Sequence, residues 1–126
     1  ITIVPWEVAE EAAYVDDELW AKIEGMNTKR SDFFVKVNSV LRDYSKATGA
    51  PGSVHPDTLT VMIAYDEGVA DEKVRKYVEV ETCSASRGAM LVDWYGLTKR
   101  PPNAEIVTKA KRQRFVQELL NLLSKS

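Results

Sequence analysis

The period of the apolar positions changes several times along this chain, and each change marks an element. Ile1-Thr2-Ile3-Val4 is a β-branched run that Pro5 stops, which predicts a strand. Residues 7–13 and 16–24 predict two short helices separated by an acidic turn. Asp16-Asp17-Glu18 precede Leu19, Trp20 and Ile23, and carboxylates at a helix start meet the positive end of the backbone dipole. Gly25 should end that helix. Ser31 then reads as the N-cap of a longer one, with Asp32 in its first turn. Phe33, Phe34, Val37, Val40, Leu41 and Tyr44 recur at helical spacing and form one apolar face, with Lys36, Asn38, Arg42 and Asp43 mostly opposite.

After the loop Thr48-Gly49-Ala50-Pro51-Gly52-Ser53 the pattern changes again. Leu59, Val61, Met62, Ile63 and Ala64 are apolar nearly all round, and a helix without a polar face is a buried one. Its start is therefore expected near the middle of something larger than this chain's own surface. Tyr77 to Glu81 alternate as a half-exposed strand, and Ala89 to Tyr95 supply a partner across Ser84-Ala85-Ser86. Glu105-Ile106-Val107 is a short third strand beyond the Pro101-Pro102-Asn103 turn. Phe115, Val116, Leu119, Leu120, Leu122 and Leu123 then make the stripe of a closing helix. Strands mixed with helices in this way predict an α/β fold.

Composition narrows the function classes more than it identifies one. The chain has 126 residues, 44% hydrophobic and 29% charged, which suits one domain or part of one. No apolar run approaches the roughly 20 residues of a membrane span. A start on Ile1 with no initiator methionine and no signal-peptide pattern reads as a piece of a longer polypeptide. Cys83 is the single cysteine, so there is no internal disulfide, and a reducing, cytoplasmic setting is expected. Residues 1–25 are acidic, while Lys99, Arg100, Lys109, Lys111, Arg112, Arg114 and Lys125 make the C-terminal stretch basic. With a net charge of −2 and no aromatic residue interleaved, that basic stretch reads as a solvated helix face rather than a nucleic-acid site.

One constellation carries candidate chemistry: His55-Pro56-Asp57 at the head of the apolar helix, with Tyr44 on the helix before it. Asp57 reads either as an N-cap or as a carboxylate serving as metal ligand or base, and one carboxylate can do both. His55 is the single histidine and reads either as a loop residue or as a proton carrier. Tyr44 reads as a core aromatic closing its stripe. Trp6, Trp20 and Trp94 read as packing anchors, and Cys83 as a small packed residue. Phosphate loops, hydrolase elbows and paired-histidine metal motifs are absent.

The order of motifs resembles the C-terminal part of the calcium-dependent nucleoside hydrolases, the inosine-uridine-preferring N-ribohydrolases. The likeness runs through Ile1-Thr2-Ile3-Val4-Pro5, Leu41-Arg42-Asp43-Tyr44-Ser45-Lys46 and Val54-His55-Pro56-Asp57-Thr58-Leu59-Thr60. It continues through Val78-Glu79-Val80-Glu81-Thr82, Arg87-Gly88, Val92-Asp93, Pro102-Asn103-Ala104-Glu105 and Phe115. It spans nearly the whole chain but about the last two-fifths of a typical member. The resemblance implies the C-terminal portion of an open sheet flanked by helices. It also implies cleavage of the N-glycosidic bond of a ribonucleoside by water, through an oxocarbenium-like state, with calcium as cofactor.

Carried over by position, Asp57 is the late calcium ligand, His55 the acid for the departing base, and Tyr44 a residue near that base. Two departures stand out. Pro56 separates the histidine from the aspartate where the family pattern has them adjacent. The aspartate-rich calcium motif and the Glu-Phe-Asn ribose segment are missing, and calcium wants about 6–8 oxygen ligands. The expectation is a partial domain over residues 1–126 that carries part of a nucleoside hydrolase site and is inactive alone. Its expected partners are a ribonucleoside, the N-terminal half of the same fold and, in the full-length form, further copies of itself, with neither nucleic acid nor membrane. The alternatives are a non-catalytic nucleoside-binding module or a protein-interaction piece whose sheet edge pairs with another chain.

Overall fold

A computed structural model describes residues 1–126. Its secondary structure follows the order β1 (Thr2–Ile3), α1 (Trp6–Ala12), β2 (Tyr14–Val15), α2 (Asp17–Glu24), α3 (Lys29–Ala47), β3 (Ser53–Val54) and α4 (Pro56–Tyr65). After a 3-10 turn at Glu67–Val69 come β4 (Ala70–Lys76), β5 (Val78–Val80), β6 (Met90–Val92), β7 (Ala104–Ala110) and α5 (Arg112–Leu123). The main sheet has the order β1-β7-β4, with β1 parallel and β4 antiparallel to β7. Two short antiparallel pairs, β2-β3 and β5-β6, stand beside it. This is the expected α/β fold, an open sheet flanked by helices.

β7 organises the packing because its alternate residues face opposite ways. Val107 enters the larger core with Val8, Leu59, Phe115 and Leu119, while Ala104 and Ile106 join a smaller cluster with Val78. Full burial of a side chain such as Leu119 contributes about 1.5–3 kcal/mol. Phe115 and Leu59 have no exposed surface, so the closing helix and the apolar helix α4 meet the core as their patterns require. The hairpin β5–β6 is tied to the same strand by Asn103, whose amide accepts from Val78 N and donates to Val78 O, both at 2.8 Å.

Several expectations need correction. The N-cap of α3 is Thr28, which receives Ser31 N at 3.0 Å, while the Ser31 hydroxyl accepts from Thr28 N in a reciprocal box. Ser31 thus sits three residues inside the helix rather than at its cap. Only Phe34 of the supposed α3 face is buried, and Phe33, Val37, Val40, Leu41 and Tyr44 are exposed. α4 buries Leu59, Met62 and Ile63 but leaves Val61 and Tyr65 in solvent. Trp20 is a packing anchor, but Trp6 and Trp94 are each about half exposed, and Cys83 lies exposed beyond β5. β4 carries five charges in seven residues and gave no apolar alternation. It forms because β7 supplies its hydrogen-bond partner and Lys109 and Glu105 supply ion pairs to Asp71, Glu72 and Lys73.

Candidate functional site

The route from α3 to α4 places the candidate residues. Gly49 takes φ +74° just past the helix end, which lets its N–H reach Lys46 O and the Ala50 N–H reach Ser45 O. That is the paired closure a left-handed residue permits. Gly52 then passes so near β2 that an added Cβ would stand 2.6 Å from Val15 O. This close approach lets β3 pair with β2 and delivers His55 back alongside α3. His55 N donates to Ala13 O at 2.8 Å, which fixes the start of α4.

His55, not Asp57, is the N-cap residue of α4, and it caps with no side-chain hydrogen bond. Pro56 holds the first helical position, where its missing N–H costs nothing. The imidazole is instead turned inward. His55 is 7% exposed, and its ring lies 5.3 Å from the Phe34 ring and shares a 3.0 Å hydrogen bond between Nε2 and the buried Ser53 Oγ. Burial pushes its pKa below the usual 6.5, so the ring is neutral at pH 7.

Asp57 occupies the first turn of α4, is exposed, and makes no side-chain hydrogen bond. Its charge is favourable there because it faces the positive helix end. Its carboxylate oxygens remain open to a ligand. No three histidine, cysteine, aspartate or glutamate side chains converge anywhere in the chain. Calcium needs about 6–8 oxygens, so residues 1–126 do not by themselves fit a calcium site.

Between α3, α4 and the end of α5 lies an open groove of about 480 Å³. Phe33, Val37, Asn38, His55, Thr58 and Leu122 are among its walls. Its size is within the roughly 300–1,000 Å³ of small-molecule pockets. Asn38, Thr58 and Phe33 were not legible as site residues, because tertiary packing alone brings α3 against the head of α4. Phe33 offered one signal, an aromatic residue set beside the helix's buried Phe34 line.

Tyr44 is exposed and does not share this groove. It lies ten residues beyond Phe34, or about 15 Å along the axis at the α-helical rise. Its segment is held from below. Arg42 stacks over Trp20 at 4.6 Å and pairs with Asp17 at 3.1 Å, and Lys46 pairs with the same carboxylate at 3.0 Å. Lys46 foremost, then Arg42, draw the Asp17 pKa below the ordinary range. The motif Leu41-Arg42-Asp43-Tyr44-Ser45-Lys46 therefore spends its cations on α2 and presents Tyr44 outward. The structure joins His55 to the groove and leaves Asp57 and Tyr44 apart from it as free surface groups.

The profile of the family described as inosine-uridine preferring nucleoside hydrolase matches residues 1–117. Solved structures with the same fold include an inosine-guanosine nucleoside hydrolase, 23% identical with a TM-score of 0.87 over 99% of this chain and 39% of that one. A purine-preferring ribonucleoside hydrolase from Gardnerella vaginalis is 18% identical with a TM-score of 0.80, over 98% of this chain and 39% of its own. A plant nucleoside hydrolase is 16% identical with a TM-score of 0.84, over 100% and 42%. No curated protein matches the chain. The chain thus spans about two-fifths of the length of the structures it resembles. With the profile match extending over nearly all its residues, the chain belongs to the inosine-uridine preferring nucleoside hydrolase family.

Proposed function

We propose that this chain forms part of an enzyme that hydrolyses the N-glycosidic bond of ribonucleosides, releasing base and ribose. The observation that carries this reading is the family match over residues 1–117. The bond breaks with positive charge developing on the ribose, so the site must supply anionic oxygen near the sugar and a proton for the leaving base. Asp57 contributes one such carboxylate, as one ligand of a calcium ion whose other ligands lie outside residues 1–126. Its exposed, unbonded oxygens and its place at the head of α4 support that role. Tyr44, held outward by the anchors beneath it, contributes to the wall on the base side.

His55 is the proposed donor to the departing base. Because burial favours its neutral form, that role draws on a minority imidazolium at pH 7 and strengthens toward acid. Alone, the chain releases no ribose, because one carboxylate does not make a calcium site. The test is Asp57→Ala in the complete enzyme, where calcium-dependent turnover should be lost with the melting temperature unchanged. Wild-type rates in that variant would sink the assignment. A second reading, a nucleoside-binding or protein-interaction module without catalysis, is favoured by one observation: the His55 ring is turned into the core, bonded to Ser53. It predicts nucleoside binding, or partner binding, by the complete protein with no ribose released.

A further inference from the structure

The two halves of α3 are fastened by different means. The first half is bound to the body of the fold: Thr28 Oγ1 donates to Leu123 O, and Phe34 enters the larger core. From Val35 to Ala47 only Ser45 is buried, and its hydroxyl turns back on Leu41 O within the same helix. A stretch with so little apolar cover takes its place from polar ties. Here those ties converge on one carboxylate, because Asp17 Oδ1 receives Arg42 at 3.1 Å and Lys46 at 3.0 Å. They are the only ion pairs that residues 35–47 make. Arg42 is partly withdrawn from water over the Trp20 ring, and its Nε is buried without a partner, so Asp17 is the group that balances its charge.

The spacing of these cations gives the contact a geometric consequence. Arg42 and Lys46 are four residues apart and share a face of α3. Tyr44 is two residues from each, so it stands roughly 200° around the axis from Arg42, on the opposite face. Val40 and Val37 continue that outward face, and Val37 also lines the groove that holds His55. Pinning Arg42 and Lys46 to α2 therefore fixes the rotation of α3 about its own axis, and that rotation sets the direction of Tyr44. The pin is itself anchored. Asp16, the neighbour of Asp17, caps α2 through Leu19 N and pairs with Arg112 of α5 at 3.0 Å.

We propose that Asp17 is a positioning residue for the nucleoside site: by holding Arg42 and Lys46 it sets the roll of α3, and so the place of Tyr44 against the base. The inference rests on the reading of Tyr44 as part of the base-side wall. Asp17 acts through Tyr44 and touches no substrate itself. A single exposed ion pair does little, but here two cations share one carboxylate and one of them is partly desolvated. A wall that contacts the base in the ground state and the transition state alike affects KM rather than kcat.

The test combines hydrogen exchange, read by mass spectrometry, with steady-state kinetics on inosine, both in the complete enzyme. In Asp17→Ala the amides of residues 38–47 should exchange about threefold to fivefold faster. KM should rise by a similar factor while kcat stays within about twofold. Asp17→Glu should restore most of both. Glu18→Ala removes another first-turn carboxylate of α2, one paired only with Lys22 of the same helix, and should change neither. Tyr44→Ala should raise KM by itself, and adding Asp17→Ala should raise it no further, since the two act as one unit. Unchanged exchange in Asp17→Ala, additive KM effects, or a Glu18→Ala variant that behaves like Asp17→Ala would each overturn the proposal. A KM that ignores Asp17→Ala but responds to Tyr44→Ala would overturn it and leave the base-side wall standing. A KM that ignores Tyr44→Ala would overturn the wall and the kinetic role of Asp17 together, whatever the exchange shows of its hold on α3.

Discussion

The junction of α3 with α4 and the β5–β6 hairpin begin from similar sequence, apolar positions interleaved with polar ones, and end in opposite states. At the junction Phe34, Ser53 and His55 are covered, and the one polar ring there has found a hydroxyl partner. At the hairpin only Val78 is buried, and its tip and following loop keep large apolar groups in water. Propensity does not distinguish the two. The difference is cover: the end of α5 reaches the first through Leu122 and Leu123, while the second packs at its base through Val78 and Asn103 and leaves its tip and following loop uncovered. A pattern of apolar residues states that a surface wants covering. The remaining chain determines whether the cover is present.

That comparison can be broken or sharpened by mutation. The largest expected effect is at the covered region's core. Phe115→Ala should cost about 3–5 kcal/mol in urea unfolding, because the ring is fully buried and leaves a cavity. Next comes Thr28→Ala, which removes the α3 cap and the bond from Thr28 Oγ1 to Leu123 O that joins α3 to α5. A loss of about 1–2 kcal/mol is expected in the same measurement.

His55 gives a smaller effect with a defined sign. Its folded pKa lies below the ordinary 6.5, so below that pH the unfolded chain binds more protons than the folded one. Stability should therefore fall as pH drops through 6.5 toward the folded pKa, and level off below it, as far as this residue is concerned. The carboxylates lowered by ion pairs, Asp17 and Asp66 among them, take over only in their own more acid range. In His55→Gln the step beginning near 6.5 should vanish from the pH profile of the melting temperature, and a step that persists would assign it elsewhere. The smallest effect belongs to the uncovered region: Tyr95→Ser should change monomer stability by no more than about 0.5 kcal/mol. A loss several times larger would mean the loop is covered after all.

Much of the fold was legible because it rests on period. The strand at Thr2–Ile3, the helices at Trp6–Ala12 and Asp17–Glu24, the β5–β6 hairpin and the closing helix all follow from spacing and caps. β2 and β3 were not, since Tyr14–Val15 and Ser53–Val54 belong to no β-branched run like Ile1-Thr2-Ile3-Val4. β4 was not, since its side chains are held by charge pairs rather than by an apolar face. At the site, His55 and Asp57 stood out as residue types, but their surroundings did not. Ser53 and Phe34 reach His55 only after the loop through Gly52 folds the chain back along α3. The length of α3 was equally silent about Tyr44, which shares a helix with Phe34 but not a groove.

The most direct test of the central claim, that this chain holds part of a nucleoside hydrolase site and not a whole one, is ribose release from inosine and uridine by the purified chain. It should be run with calcium and again with chelator. The account predicts no release in either condition. Release that depends on calcium would contradict it, because it would require a complete metal site among residues where only the lone Asp57 carboxylate stands at the head of α4.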